Sequence, residues 1–361
     1  MIVVEGSNVT EMRDVREAIG LWKDDFIPPL RRLAEIVKAG GAVGLIQISN
    51  VGLKVMDENS IADISREQFL SYKEDFIRAA VRCREAGFDG VELQGAHGYY
   101  LCQVIETSAR DDEYGGSFEN RIRLLVELVQ DIKKACGSDF IVSARIGYPT
   151  IDGLIDLAKA LESAGADLLS ISTGTKNYDV PDDFPLDNKI YAASRVKQAV
   201  QIPVLAVGNI KSGEECELIL KKGYADCIAV GRCHLADPAW SGKILAGQEP
   251  VPAGAASRAA GLRIVRNARP ATSGSTHKYV ILHKIRASMG LLFCVEMKVL
   301  RLQQKGFQRI GDVAGAAGNI VAVDLWRCKV EERNRPQLSQ QQIVFNEAAG
   351  KERIPQPSAY I

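Results

Sequence analysis

The sequence has no excess of either charge: 45 lysines and arginines balance 45 aspartates and glutamates over 361 residues. Without a basic excess there is no electrostatic basis for binding nucleic acid or an anionic membrane surface, and a small-molecule partner is the default. Long apolar runs are missing too. The opening MIVVEGSN has no basic region, and its apolar stretch stops at Glu5, far short of the ~20 residues of a spanning helix. Paired cysteines are absent. Cys83, Cys102, Cys136, Cys216, Cys227, Cys233, Cys294 and Cys328 are scattered without a C-x-x-C pair. That excludes zinc ribbons, iron–sulfur ligation and a disulfide framework, and it suits a reducing cytoplasm. All eight read as buried or idle thiols. His234, His277 and His283 have no cysteine or carboxylate neighbours at ligand spacing, so no metal site is expected. No G-x-G-x-x-G follows an early strand, which weakens a doubly wound dinucleotide-binding reading.

What is present is alternation. Short β-branched runs at Ile2–Glu5, Val43–Ile48, Gly90–Gln94, Phe140–Ile146, Asp167–Ser172, Pro203–Gly208 and Asp226–Gly231 are separated by amphipathic segments. The runs are too apolar for half-exposed hairpins and predict a parallel sheet covered by helices. Helices are expected across Ser65–Ala86, Ser117–Cys136, Asp152–Ala164 and Ser212–Lys222, with Gly87, Gly165 and Gly223 at helix stops. Three units, "AGFDGVELQ", "AGADLLSIS" and "KGYADCIAV", share one rhythm of helix end, glycine, aspartate and buried strand. A repeated βα unit is what a closed (β/α)₈ TIM barrel needs. Seven strands are recognisable, so the barrel reads as incomplete at the N-terminus, over residues 1–247. Residues 248–361 are Ala, Gly, Ser and Arg rich, without a clear period, and read as an unassigned, partly disordered extension. Within it Asn319–Asp324 ("NIVAVD") is the one candidate for a strand filling the gap.

Chemistry concentrates at the expected strand ends. Glu92 to Arg121, "ELQGAHGYYLCQVIETSARDDEYGGSFENR", runs from a strand through a long loop into a helix. Its stretch Arg110, Asp112, Glu113, Tyr114, Gly115, Gly116, Ser117, Glu119, Asn120 and Arg121 closely resembles the R-x-D-E-Y-G-G-S-x-E-N-R signature of the old yellow enzyme / NADH:flavin oxidoreductase family. Read physically, this stretch braces a loop by ion pairs, with Ser117 capping the next helix, so it serves as a family marker more than as a site.

The resemblance implies an FMN-binding TIM barrel that takes hydride from NAD(P)H and delivers it to an activated alkene or similar carbonyl-conjugated acceptor, the small-molecule electron acceptor. It implies catalytic roles for Gln94, His97 and Tyr99: two donors holding the acceptor's oxygen, and a tyrosine giving a proton. Preplaced donors suit that chemistry because hydride addition builds charge on oxygen. Gln94 stands where the family usually has histidine; it can donate a hydrogen bond but cannot become a cation. Gln47 matches the family's contact to the flavin pyrimidine edge, although Asn50 and Leu53 depart from the usual neighbours. Arg145 matches a strand-end arginine beside the flavin, where a cation supports the anionic reduced ring. Gly208 and Asn209, then Gly231 and Arg232, end successive strands and resemble the family's phosphate clamp. The family's first strand has no counterpart before Met1.

Two other readings stand beside this one. The chain could be a catalytically impaired or inactive relative that keeps the barrel and a phosphate or flavin site, or a phosphosugar barrel using the clamp alone. The expected protein is cytoplasmic and a possible homo-oligomer, with no nucleic acid or membrane partner.

Overall fold

The computed structural model describes residues 1–11, 19–50, 61–174 and 176–252. Seven strands run β1 Ile2–Asn8, β2 Gly44–Ser49, β3 Gly90–Gly95, β4 Ile141–Ile146, β5 Leu168–Ile171, β6 Val204–Val207 and β7 Cys227–Ala229. All are parallel, and each pairs with its neighbour in chain order. All seven expected strands are therefore present, in the β/α succession of a TIM barrel. Among the described residues β1 pairs only with β2 and β7 only with β6. Asn319–Asp324 lies outside the described residues.

Nine helices cover the outer face among the described residues: α1 Ile27–Lys38, α2 Arg66–Glu85, α3 Tyr100–Glu106, α4 Phe118–Cys136, α5 Ile151–Ala164, α6 Asn188–Lys197, α7 Gly213–Lys221, α8 Arg232–Ala236 and α9 Trp240–Leu245. Side-chain caps fix the starts. Ser65, Ser117 and Thr150 accept from Gln68, Asn120 and Gly153 backbone N–H groups, and Ser212 forms a capping box with Glu215. Gly87, Gly165 and Gly223 follow their helices with positive φ, as expected. α1 begins with Pro28 and Pro29 in its first turn, where a missing N–H costs nothing. α3 is seven residues long and mostly buried, at Tyr100, Leu101, Cys102, Val104 and Ile105, with Gln103 half-buried and Glu106 exposed, so it is too short for a helical period to show. Among the described residues no helix is long and apolar enough to cross a membrane.

The strands divide their side chains between two environments. Ile46, Ile48, Val91, Leu93, Val142, Ala144, Ile146, Leu169 and Ile171 join the large core under the helices. The alternate positions face the barrel interior. One part of it is a small separate cluster of Leu168, Leu205 and Cys227 with Met1, Val207 and Ala229. Elsewhere the interior is polar, through Gln47, Glu92, Ser143 and Ser170, then Ser49, Gln94, Arg145 and Ser172. Cys83, Cys102, Cys136, Cys216 and Cys233 are free and buried, as read from the sequence. Cys227 departs from that expectation, being disulfide-bonded.

The recurring aspartate has a structural cause. Asp89 closes a ring with Gly44: its carboxylate accepts from Gly44 N–H at 2.8 Å, and its own N–H donates to Gly44 O at 2.9 Å. Asp167 does the same with Val142, and Asp226 with Val204, each at 2.8 and 2.9 Å. A lysine from the end of a helix completes each ring: Lys38 to Asp89, Lys133 to Asp167 and Lys197 to Asp226. Each aspartate thus fastens the start of one strand to the start of the strand before it. Asp167 and Asp226 stand just outside β5 and β7, shortening those strands relative to the sequence reading. Asp167→Ala would orphan a backbone N–H, and is expected to cost about 1–3 kcal/mol in denaturant unfolding. Lys133→Ala should cost less than about 1 kcal/mol, since partly exposed ion pairs contribute little. Equal losses from the two would refute this division.

Candidate active site

The signature stretch is scaffold, as expected. Arg110 is buried, donates to the carbonyls of Ile61 and Ile64, pairs with Asp112 and lies over the Phe69 ring. Glu113 pairs with Arg66, Arg123 donates to the Glu113 carbonyl, and the Tyr114 hydroxyl donates to Glu127. At Gly115 a Cβ would stand 2.1 Å from the Arg110 carbonyl oxygen, so the loop closes only around glycine. Ser117 caps α4, and Arg121 reaches the Tyr148 hydroxyl at 2.8 Å.

At the C-terminal ends of β3, β4 and β5 the structure brings together three residues singled out from the sequence and one that was not. Gln94 and Arg145 are register partners across β3 and β4. Gln94 Nε2 lies 3.3 Å from His97 Nδ1, His97 Nε2 lies 2.8 Å from Ser172 Oγ, and Arg145 Nη2 donates to the same Oγ at 3.1 Å. His97 holds this position through left-handed backbone, φ 63°, a strained conformation for a residue with a side chain and one typical of functional sites. Tyr99 is half-buried and caps the start of α3, two residues on. Tyr100 N–H donates to the Asn50 carbonyl, tying the end of β2 to α3. Leu53 lies outside the described residues.

Gln47 joins from below. It is the register partner of Glu92 and donates through Nε2 to Glu92 Oε1 at 2.7 Å. Its Oε1 faces Gly6 of β1, where a Cβ would approach to 3.0 Å. Burial pushes the Glu92 carboxyl above its ordinary range, against the opposing pull of Arg145 and the Gln47 amide.

The phosphate-clamp residues form a second group. Gly208 and Asn209 both have positive φ, at 150° and 51°. Arg232 donates to Asn209 Oδ1, and Asn209 Nδ2 donates to Asp187. Gly231 caps α8. Lys189 packs against Gly208, where a Cβ would come within 2.7 Å of its side chain. Burial raises Asp187, but the Lys189 backbone N–H and the Asn209 amide outweigh it and leave the carboxyl below its ordinary range. His234 belongs to neither group; its ring bonds to Ser241 Oγ and lies against Trp240, the structural role expected of it.

A run of buried polar atoms without a partner among the described residues follows the strand ends. It comprises both Asn8 side-chain atoms on β1, Ser49 Oγ on β2, Gln94 Oε1 on β3, Arg145 Nε on β4 and Thr173 Oγ1 just past β5. Buried polar groups are nearly always satisfied, so such a run marks where a polar ligand completes the protein. Donors, acceptors and one cation around a mouth, with glycine-bearing strand ends and an arginine to one side, suit a flat heteroaromatic ring carrying a phosphate.

Parallel βα units with that donor set at the strand ends are compatible with a flavin-dependent barrel oxidoreductase. The chain belongs to the NADH:flavin oxidoreductase / NADH oxidase family, whose model matches residues 56–250. Its cofactor is accordingly FMN and its reductant NAD(P)H. It is 40% identical over 189 residues to the NADH oxidase of Thermoanaerobacter brockii, which covers 48% of this chain and 29% of that protein. With the NADPH dehydrogenase of Bacillus subtilis (strain 168) it shares 32% identity over 261 residues, 66% of this chain and 77% of that protein. The chain thus spans under a third of one relative and about three quarters of the other. The solved old yellow enzyme homologue from Zymomonas mobilis has the same fold, with a TM-score of 0.58 at 19% identity over 69% of this chain and 80% of that one.

Ser172, Glu92, Asn8, Ser49 and Thr173 were not singled out from the sequence. A signal was there for three of them: "LIQIS", "VELQ" and "LLSIS" each place a polar side chain at every second position of a buried strand.

Proposed function

We propose that this protein transfers hydride from NAD(P)H, through FMN, to an alkene conjugated with a carbonyl group. The observation that carries this reading is the run of unpartnered buried polar atoms around Arg145 at the strand ends. Bound FMN supplies the hydride. Arg145 would face the pyrimidine side of the ring with its positive charge, and Gln47, oriented by Glu92, would bond the ring edge. Gly208, Asn209, Gly231 and Arg232 would hold the phosphate. The acceptor's oxygen would sit at the cluster of Gln94, His97 and Ser172, and Tyr99 would protonate the carbon beside the carbonyl. We also propose that residues 1–247 form the flavin barrel, apart from 248–361, in a cytoplasmic protein.

A second reading, an impaired relative, is favoured by Gln94, which carries no charge and already contacts His97. One experiment separates them. FMN titrated into flavin-free protein should bind with stoichiometric quenching of its fluorescence, and NADPH oxidation should then depend on added 2-cyclohexen-1-one. Binding without enone turnover supports the second reading; no binding defeats the first. Tyr99→Phe should slow reoxidation by the enone by about 100-fold while leaving reduction by NADPH unchanged, the size of effect typical for loss of a positioned acid.

A further inference from the structure

We infer that the Ser172 hydroxyl, not a ring nitrogen of His97, is the group that donates a hydrogen bond to the acceptor's carbonyl oxygen; this rests on the oxidoreductase reading above. The inference comes from the donor and acceptor roles that the contacts of Gln94, His97, Arg145 and Ser172 with one another require. The amide nitrogen of Gln94 is the atom facing His97 Nδ1, at 3.3 Å. An amide NH₂ only donates, so Nδ1 accepts and a neutral ring carries its hydrogen on Nε2. That N–H then donates to Ser172 Oγ at 2.8 Å, and Arg145 Nη2 donates to the same oxygen at 3.1 Å. A hydroxyl has two acceptor lone pairs and one proton. Both lone pairs of Ser172 are taken, so its proton must point to a third partner. Ser172 is 5% exposed at the mouth of the barrel, beside the unpartnered Thr173 Oγ1 and Arg145 Nε.

The arrangement suits an oxygen that gains negative charge during hydride addition. Two N–H donors, one of them cationic, polarise the hydroxyl and strengthen the bond it gives. The oxygen is thereby stabilised without a second histidine. Gln94 acts as a positioning residue: it sets the tautomer of His97, and His97 sets the direction of the Ser172 O–H. The substrates favoured are enones and enals, which bring a bare acceptor oxygen, over alkenes whose activating group presents an N–H or O–H there.

Flavin-free protein labelled with ¹⁵N-histidine tests the first step, since only four histidines contribute signals. With the resonance assigned through His97→Asn, the neutral ring should carry its proton on Nε2. A proton on Nδ1 overturns the inference, because Ser172 would then have to donate to the ring. In FMN-loaded protein Ser172→Ala should slow reoxidation by 2-cyclohexen-1-one about 100-fold, far more than it slows reduction by NADPH. Ser172→Thr, which keeps the hydroxyl, should restore reoxidation to within about tenfold. An alanine variant that reoxidises normally, or one slowed equally in both half-reactions, overturns the assignment of Ser172 alone. Failure of wild-type protein to bind FMN, or to reoxidise with the enone, overturns the underlying reading and this inference together.

Discussion

Arg110→Ala is expected to lower stability by about 3–5 kcal/mol, the usual consequence of stripping one partner from a buried ionic network. The Arg110 side chain is 4% exposed. It donates to Ile61 O at 2.7 Å and Ile64 O at 2.8 Å, binds Asp112 through both Nε and Nη2, and lies with its guanidinium 4.6 Å from the Phe69 ring centre. Alanine would strand two carbonyls and a carboxylate at once. Lysine should not rescue it, because one ammonium cannot satisfy acceptors spread around a planar fork. Thermal unfolding of a barrel this size should shift down by roughly 6–20 °C. The same contact holds the Asp112 carboxyl below its ordinary range. Its stabilisation is present above the unfolded carboxyl's pKa and is lost as pH falls through the depressed folded value. The variant should therefore lose part of the wild-type acid sensitivity. A melting shift under about 2 °C would show that the network contributes little.

Arg145→Ala should have the largest effect on chemistry. The native side chain spends Nη2 on Ser172 and leaves Nε buried without a partner among the described residues, so part of its donor set remains for a ligand. Removing it takes away a cation in direct contact with the strand-end cluster. FMN should bind more weakly, and the midpoint potential of whatever binds should fall by about 60 mV, equivalent to about 3 kcal/mol for a two-electron couple. Arg145→Lys should recover part of the potential but less of the reoxidation rate, because a point charge cannot replace the hydrogen bond to Ser172 and the ring contact together. Spectroelectrochemical titration of the reconstituted variants measures this directly. An unchanged potential in the alanine variant would move Arg145 out of the flavin site.

Much of the scaffold could be read before any coordinates. Periodicity located β1 to β7, and Ser65 and Ser117 marked the starts of α2 and α4. The shared aspartate was visible as a rhythm, but its purpose was not. The ring that Asp167 makes with Val142 joins residues far apart in the chain, and spacing within a segment carries no record of such pairing. The site was legible to a similar depth. Gln94, His97 and Arg145 do meet, yet the atom that joins them belongs to Ser172, on a strand that looked like plain core. Alternation can say that Ser172 shares a face with Leu168 and Ser170. Only the register of β3, β4 and β5 says that it stands between His97 and Arg145. α3 was missed for a different reason: at seven residues it is shorter than the window over which a helical period shows.

The aspartate rings at Asp89, Asp167 and Asp226 gather on the rim opposite to the chemistry. Mechanical integrity is thus stitched at one pole, while reactivity is displayed at the other. Libraries that randomise Ser49, Gln94, Ser172 and Thr173 together should retain folded members far more often than libraries of equal size drawn at the stitched pole. The reactive pole is the one that evolution, or an experimenter, is free to rewrite.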